Sequence, residues 1–249
     1  FTKDGEDIAG IQYSQARSKF NLISTADINS GFVFKELHFS KELVIFLIDH
    51  FISWAKTKGA AYLRIHPWLP ESILSEDTLY TDVVNSALKD RSFEIIKTGS
   101  HTYWLDLSLS EEELLKQMAR KTRYEVRRAL KSEIEITPVE KPDTESIEEF
   151  WSLYKLLGEN KGFSMYSEQK FKDEIYLLLK SGSAILYIAR YQDTIINISI
   201  ASNFGVAAYL HGAINPEFKN LEGCPSPGQL AQWAMITDMK KRGAIKYDM

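Results

Sequence analysis

Between Lys116 and Lys131 the chain carries seven basic side chains, Lys116, Arg120, Lys121, Arg123, Arg127, Arg128 and Lys131, against a single acid, Glu125. Lys116, Arg120, Arg123, Arg127 and Lys131 recur at steps of three and four, the spacing that brings side chains onto one helix face. The whole 249-residue chain has a formal net charge of -4, so this density is local. Like charges at helical spacing repel one another. Two readings account for their tolerance. One is a solvated helix face that serves solubility. The other is a phosphate site, for which arginine supplies a planar fork of donors and lysine a point charge.

The element that must carry this rail is a helix. Ser110 followed by Glu113 forms a capping box, in which each side chain satisfies a free backbone group of the other's end of the first turn. Leu115, Met118, Ala119, Thr122, Val126 and Ala129 supply a modest apolar stripe opposite the cations. The spacing therefore predicts one continuous helix from Ser110 to about Lys131.

Four stretches carry a family resemblance. LDLSLSEEELL followed by KTRYEVRRALK, the upstream AYLRIHPWLP, the downstream AAYLHGAIN, and CPSPGQLAQWAMITDMKKRGAIKYDM resemble, in order and spacing, motifs of the FemABX family. These are the aminoacyl-tRNA-dependent transferases that build peptidoglycan cross-bridges. The resemblance implies several things. The partners are an aminoacyl-tRNA and a UDP-linked or lipid-linked muropeptide, with peripheral membrane contact through a lipid-linked substrate and no DNA. No cofactor is implied. Lys121, Arg123 and Arg127 fall on the positions that hold substrate phosphates. Tyr209, Gly212, Trp233 and Tyr247 fall beside the cleft between domains. His66 stands where the family usually has Asp, and with His211 and Asp248 it makes up the candidate catalytic set, each also readable as a structural residue.

Composition fits such a protein without demanding it. A hydrophobic content of 44% supports a real core, and a single cysteine excludes an intramolecular disulfide and fits a reducing, cytoplasmic setting. The chain has no long uninterrupted apolar run. It opens on Phe1 and stops at Met249, so it reads as part of a longer protein whose first domain lacks its beginning.

Elements follow from local signals. Lys3-Asp4-Gly5-Glu6 reads as a hairpin turn. Gly31–Phe34 reads as a strand, and Ser40 caps a helix to Lys58 that Gly59 ends. Strands are expected at Ala61–Ile65, Phe93–Ile96, Thr102–Leu107 and Ile134–Val139, with a helix at Glu76–Lys89. Helices at Thr144–Leu157 and Ser167–Lys180 precede strands at Ala184–Tyr191, Thr194–Phe204 and Val206–Ala213. A helix Gly228–Arg242 and a strand Ala244–Tyr247 close the chain. This is an α/β (α+β) order, helices then an antiparallel meander, a helix and a closing strand, which is that of an acetyltransferase-like (GNAT) domain. It recurs in residues 1–105 and 106–249, so tandem GNAT-like domains with mixed, mostly antiparallel sheets flanked by helices are expected, of a type without a coiled-coil arm.

That fold raises coenzyme A as a ligand. Acetyltransferases hold its pyrophosphate on backbone amides entering the last helix. Lys219, Gly223 and Gly228 are present here, but Pro225 and Pro227 remove two donors, which argues against it. The five histidines and Cys224 lack metal-ligand spacing. Besides aminoacyl transfer, two readings stay open. One is N-acylation of another amine, as in exopolysaccharide or natural-product synthesis; the other is non-catalytic binding of an anionic glycolipid or RNA.

Overall fold

The computed structural model describes residues 1–17, 23–34, 40–66, 78–94, 102–163, 165–218 and 227–249. The chain divides into two compact units, Phe1–Gly99 and Ser100–Met249. The loop around Pro67 and Pro70, the start of the helix expected from Glu76, residues 95 and 96 of the expected strand, and Lys219, Gly223, Cys224 and Pro225 lie outside the described residues.

The first unit opens with a hairpin, β1 (Thr2–Lys3) and β2 (Glu6–Asp7), turned by Asp4 and Gly5 at φ 53 and 82. That left-handed pair is the turn whose twist matches antiparallel strands. β3 (Ala9–Arg17) and β4 (Ser24–Phe34) pair antiparallel, and β5 (Tyr62–Ile65) joins β4 in parallel. The strand expected at Gly31–Phe34 is thus the end of a longer one. Helix α1 (Lys41–Thr57) is capped by Ser40 Oγ, and Gly59 beyond it adopts φ 64. Its Val44, Leu47, Ile48, Phe51 and Ala55 are buried with Ala26 and Ile28 of β4 and with Val84, Ala87 and Leu88 of α2 (Thr78–Lys89). Full burial of such a large apolar side chain contributes roughly 1.5–3 kcal/mol. Asp27, buried in β4, is neutralised by Arg64 of β5.

The second unit is built on one sheet ordered β6-β11-β10-β9-β8-β7. Its strands are β6 (Trp104–Asp106), β7 (Glu135–Val139), β8 (Ala184–Tyr191), β9 (Thr194–Ser202), β10 (Val206–Ile214) and β11 (Lys246–Asp248). All neighbours run antiparallel except β10 and β11. β6 pairs whole with β11, so the division of the chain falls before this strand and not through it. Gln192 and Asp193, both at positive φ, turn β8 into β9. Pro138 sits in β7, at the end of the sheet, where its missing N–H costs least.

Side chains alternate between two cores. Ile185, Tyr187, Ala201, Ala207 and Tyr247 face α7 (Pro227–Lys241), which brings Trp233, Met235, Ile236 and Met239. Ala184, Leu186, Ile188, Ile198, Ile200 and Ala213 face the other way, onto α5 (Thr144–Lys161) and α6 (Glu168–Lys180). Asp143 and Ser167 cap these two helices, and their modest lengths leave no coiled-coil arm among the described residues.

The long basic helix is corrected by the structure. It breaks into α3 (Glu111–Gln117) and α4 (Arg120–Ala129), with Met118 and Ala119 extended at ψ 148 and 145. The Ser110–Glu113 capping box is present at the start of α3. The break is stabilised from within: Arg123 Nη1 donates to Lys116 O at 3.0 Å, at the C-terminal end of α3, and at 3.5 Å to Leu115 O, which also accepts from the Met118 N–H. Separate docking also favours it, since Leu114 of α3 and Val126 of α4 are both buried in the core beneath α7. The apolar stripe from Leu115 to Ala129 is therefore not one helix face.

Candidate active site

The candidate residues of the second unit gather on β10 and its parallel neighbour β11. The two strands pair in parallel across Val206–Ala208 and Lys246–Asp248. Just past the last pair, the register of β10 on β9 shifts between Tyr209 and His211, a bulge at Leu210. Such bulges re-aim side chains at the cost of one ladder position.

On the α7 face of the sheet the structure brings Tyr209, Gly212 and Tyr247 together. A Cβ on Gly212 would lie 2.3 Å from Tyr209 Oη and 2.7 Å from Ser199 Oγ, so the bare glycine makes room for both. Ser199 Oγ donates to Asn197 Oδ1, and Asn197 Nδ2 donates to Ala213 O, which fixes a buried polar row on β9. Gln232 Nε2 of α7 donates to Tyr247 Oη at 3.1 Å. Burial pushes both the Tyr209 and Tyr247 phenols above the ordinary tyrosine range, and for Tyr247 the neighbouring Tyr209 adds to the effect. Both are neutral hydrogen-bond donors at physiological pH. Trp233 lies under this surface as core, 4% exposed.

His211 and Asp248 lie on the opposite face. His211 Nε2 is 3.4 Å from Glu174 Oε1 of α6, and its ring is surrounded by Tyr154, Tyr166 and Phe171. Asp248 alternates away from Tyr247. Its Oδ1 is buried without a hydrogen-bond partner, as is Gln229 Oε1 in the first turn of α7. Gly228 in that turn packs on Ile214, a Cβ there falling 2.8 Å from Ile214 Cδ1, and Pro227, buried at the first helical position, has no N–H to offer an anion. His66 belongs to the first unit, where its backbone N–H donates to Ile28 O at 2.8 Å and its side chain is exposed.

The cationic rail is on α4, which docks on the core through Val126 and Ala129. Lys121, Arg127, Arg128 and Lys131 are exposed, and among the described residues none of them forms an ion pair within the 4.0 Å limit, although Arg127 lies near enough to help hold the Glu112 carboxyl below its ordinary range, an effect led by Lys116. Arg123 differs, being turned back onto α3. Tyr124, 62% exposed, stands among the cations.

Sequence reasoning did not single out Gln229, Gln232, Ser199, Asn197 or Tyr124. The polar residues of TIINISIAS, set within an otherwise apolar strand, were the available signal for two of them. Nothing local marks the bulge.

The chain is similar to several known proteins. Residues 116–249 match the family model described as an acetyltransferase (GNAT) domain. Among solved structures, FemX superposes with a TM-score of 0.77 at 20% identity, over 100% of this chain and 77% of FemX. The C-terminal domain of a putative lysylphosphatidylglycerol synthetase from Agrobacterium fabrum gives 0.62 at 13% identity, over 97% of this chain and 67% of its own. A conserved protein of unknown function from Bacteroides thetaiotaomicron gives 0.54 at 11% identity, over 92% and 70%. No curated protein sequence matches the chain. The fold is FemX-like, and with more than half of its residues matching the family model, the chain belongs to the acetyltransferase (GNAT) domain family.

Proposed function

We propose that this acyltransferase moves an amino acid from an aminoacyl-tRNA to a primary amine of a peptidoglycan-precursor peptide. The acceptor would be UDP-linked or lipid-linked, and the setting cytoplasmic. The observation that carries the reading is the rail: four exposed cations, Arg120, Lys121, Arg127 and Arg128, without ion pairs among the described residues, on one short helix of a chain whose net charge is -4. Both substrates would offer it phosphates, in the tRNA backbone and in the diphosphate of the precursor. Likeness of fold to FemX across the whole chain supports the reading by analogy. Pro227 supports it from the other side, since it removes a backbone donor where an acetyltransferase would hold coenzyme A. Among the described residues no helix is long and apolar enough to cross a membrane, so a lipid-linked acceptor would be met at the surface.

The chemistry is aminolysis of an ester. A lysine-type amine has a pKa of about 10.4 and must shed a proton before attack. Its nitrogen then bonds to the ester carbonyl carbon, the bond to the ribose oxygen breaks, and that oxygen leaves as a hydroxyl after taking up a proton. Neutral Tyr209 suits donation to the developing oxyanion or to the leaving oxygen, and the Asp248 carboxylate suits the incoming amine. Alignment of the two substrates beside Tyr209 would supply much of the rate.

The experiment is donor competition. The protein is incubated with a UDP-muropeptide and either mixed aminoacyl-tRNA or acetyl-coenzyme A, and products are read by mass. Mass gain of one aminoacyl residue, with no saturable binding of coenzyme A by calorimetry, supports the proposal. Acetyl transfer, or micromolar coenzyme A binding, would replace it with N-acetylation of another amine, and absence of any turnover would favour a binding protein.

A further inference from the structure

Tyr124 is the middle of the outward face of α4. At about 100° per residue, Arg120, Lys121, Arg127 and Arg128, one turn before and one turn after it, all fall within about 60° of its direction. These five side chains are exposed, Tyr124 at 62%, while Val126 and Ala129 on the other side of the helix are buried. Among the described residues none of the four cations forms an ion pair, and none lies over the Tyr124 ring. Glu125, the one acid of the helix, is directed about 100° to the side and is half-buried. An aromatic ring held in water among like charges adds nothing to the core, and the charges repel one another. Its chemistry is that of a stacking surface set in an electrostatic track.

We infer that this face binds single-stranded RNA, with an unpaired base stacked on Tyr124 and the phosphates on either side of that base held by the flanking cations. The inference rests on the reading of the chain as an aminoacyl-tRNA-dependent transferase and deepens it: of the two phosphate-bearing substrates, the outward face of α4 takes the RNA. The placement of the cations decides the class of partner. A nucleotide within a chain has a phosphate before and after its base, and α4 offers a pair of cations about 5 Å along its axis on each side of the ring. A nucleoside diphosphate carries both phosphates on one side and would leave one pair idle. Double-stranded RNA presents phosphates but keeps its base faces stacked inside, which would leave Tyr124 idle. A membrane surface would attract the cations, but a helix lying in a bilayer interface buries an apolar face there, and Val126 and Ala129 of α4 are already buried within the protein.

The test uses the 249-residue chain and fluorescence anisotropy of fluorescein-labelled octaadenylate, compared with an abasic octamer of the same phosphate count and with a duplex octamer. Octaadenylate should bind at least about fivefold tighter than the abasic octamer, the low end of what one base stacked on an aromatic side chain contributes. Tyr124→Ala should remove that advantage and leave abasic and duplex binding and the unfolding temperature unchanged, whereas Tyr124→Phe, which keeps the ring, should retain it. Arg128→Ala should weaken both single strands and lower the slope of log affinity against log salt by roughly 0.7, one phosphate contact, while Tyr124→Ala leaves the slope in place. Equal affinity for the two octamers, no binding of either, or an advantage that survives Tyr124→Ala overturns the inference. So does UDP binding as tightly as octaadenylate and dependent on Tyr124, which gives the face to a nucleoside diphosphate. Tyr124-dependent binding to phosphatidylglycerol vesicles without binding of octaadenylate gives it to a membrane and overturns the inference as well. Failure here is separable from failure of the proposed function. Aminoacyl transfer whose KM for the tRNA is unmoved by Tyr124→Ala sinks the RNA face alone, and Tyr124-dependent binding of octaadenylate without transfer to a muropeptide sinks the proposed reaction and leaves the RNA face standing.

Discussion

Arg123 and Arg127 sit one turn apart on α4, and the structure gives them different work. Arg123 Nη1 donates to Lys116 O at 3.0 Å and to Leu115 O at 3.5 Å, whereas Arg127 is exposed and, among the described residues, forms no ion pair. A hydrogen bond from a charged donor contributes roughly 1.5–3 kcal/mol when well protected. Arg123 is only partly buried, and solvent screening reduces that, so Arg123→Ala should destabilise by about 1 kcal/mol. In a protein of this size that lowers the melting temperature by roughly 2–4 °C. Loss should be felt through α3, whose Leu114 is fully buried and anchors a helix of only seven residues. Arg127→Ala should change stability by less than about 0.5 kcal/mol and weaken binding of a UDP-muropeptide about tenfold. Urea unfolding followed by circular dichroism gives the first quantity, with an unchanged slope showing that only stability moved; calorimetry at low and moderate salt gives the second, which should weaken as salt rises. Arg123→Lys keeps the charge without the fork and should recover part of the stability. The reasoning is refuted if Arg123→Ala leaves the urea midpoint in place, or if the two alanine variants are indistinguishable in both assays.

Two further outcomes are expected. Gly212→Ala places a methyl 2.3 Å from Tyr209 Oη and 2.7 Å from Ser199 Oγ; displacing them should cost roughly 1–3 kcal/mol of stability and reduce acyl transfer more than a Gly10→Ala control, where a Cβ meets nothing within 4 Å. Tyr187, Tyr209 and Tyr247 all have phenol pKa values raised in the fold, chiefly by burial. Folding therefore favours their neutral forms, so their contribution is whole below the ordinary tyrosine pKa of about 10 and is lost as pH rises above it. Urea midpoints taken across that range should fall, and should fall less steeply in Tyr247→Phe.

Local signals carried much of the fold. Asp4-Gly5 and Gln192-Asp193 turn hairpins because their backbones accept positive φ, and Ser40 and Ser110 cap helices because their hydroxyls reach free amides. The break at Met118-Ala119 was not legible, for the opposite reason. Lys-Gln-Met-Ala-Arg contains only good helix formers, and what ends α3 is a side chain five residues beyond Met118 together with the docking of Leu114 and Val126. Tertiary contacts there override propensity. The site shows the same division. Gly212 and Tyr247 could be picked out as residues of note, but Gln229 and Gln232 look like ordinary polar positions on a helix until α7 is laid against β10 and β11.

A single inserted position decides which candidates can act together. Strict alternation from Tyr209 would have placed His211 on the α7 face and Gly212 on the other. The bulge at Leu210 reverses this. His211 is sent into the aromatic group of α5 and α6, where Glu174 meets it, and Gly212 is brought under Tyr209 Oη, where any side chain would collide. The imidazole is thereby withdrawn from the tyrosine pair, and the phenols are left as the donors on that face.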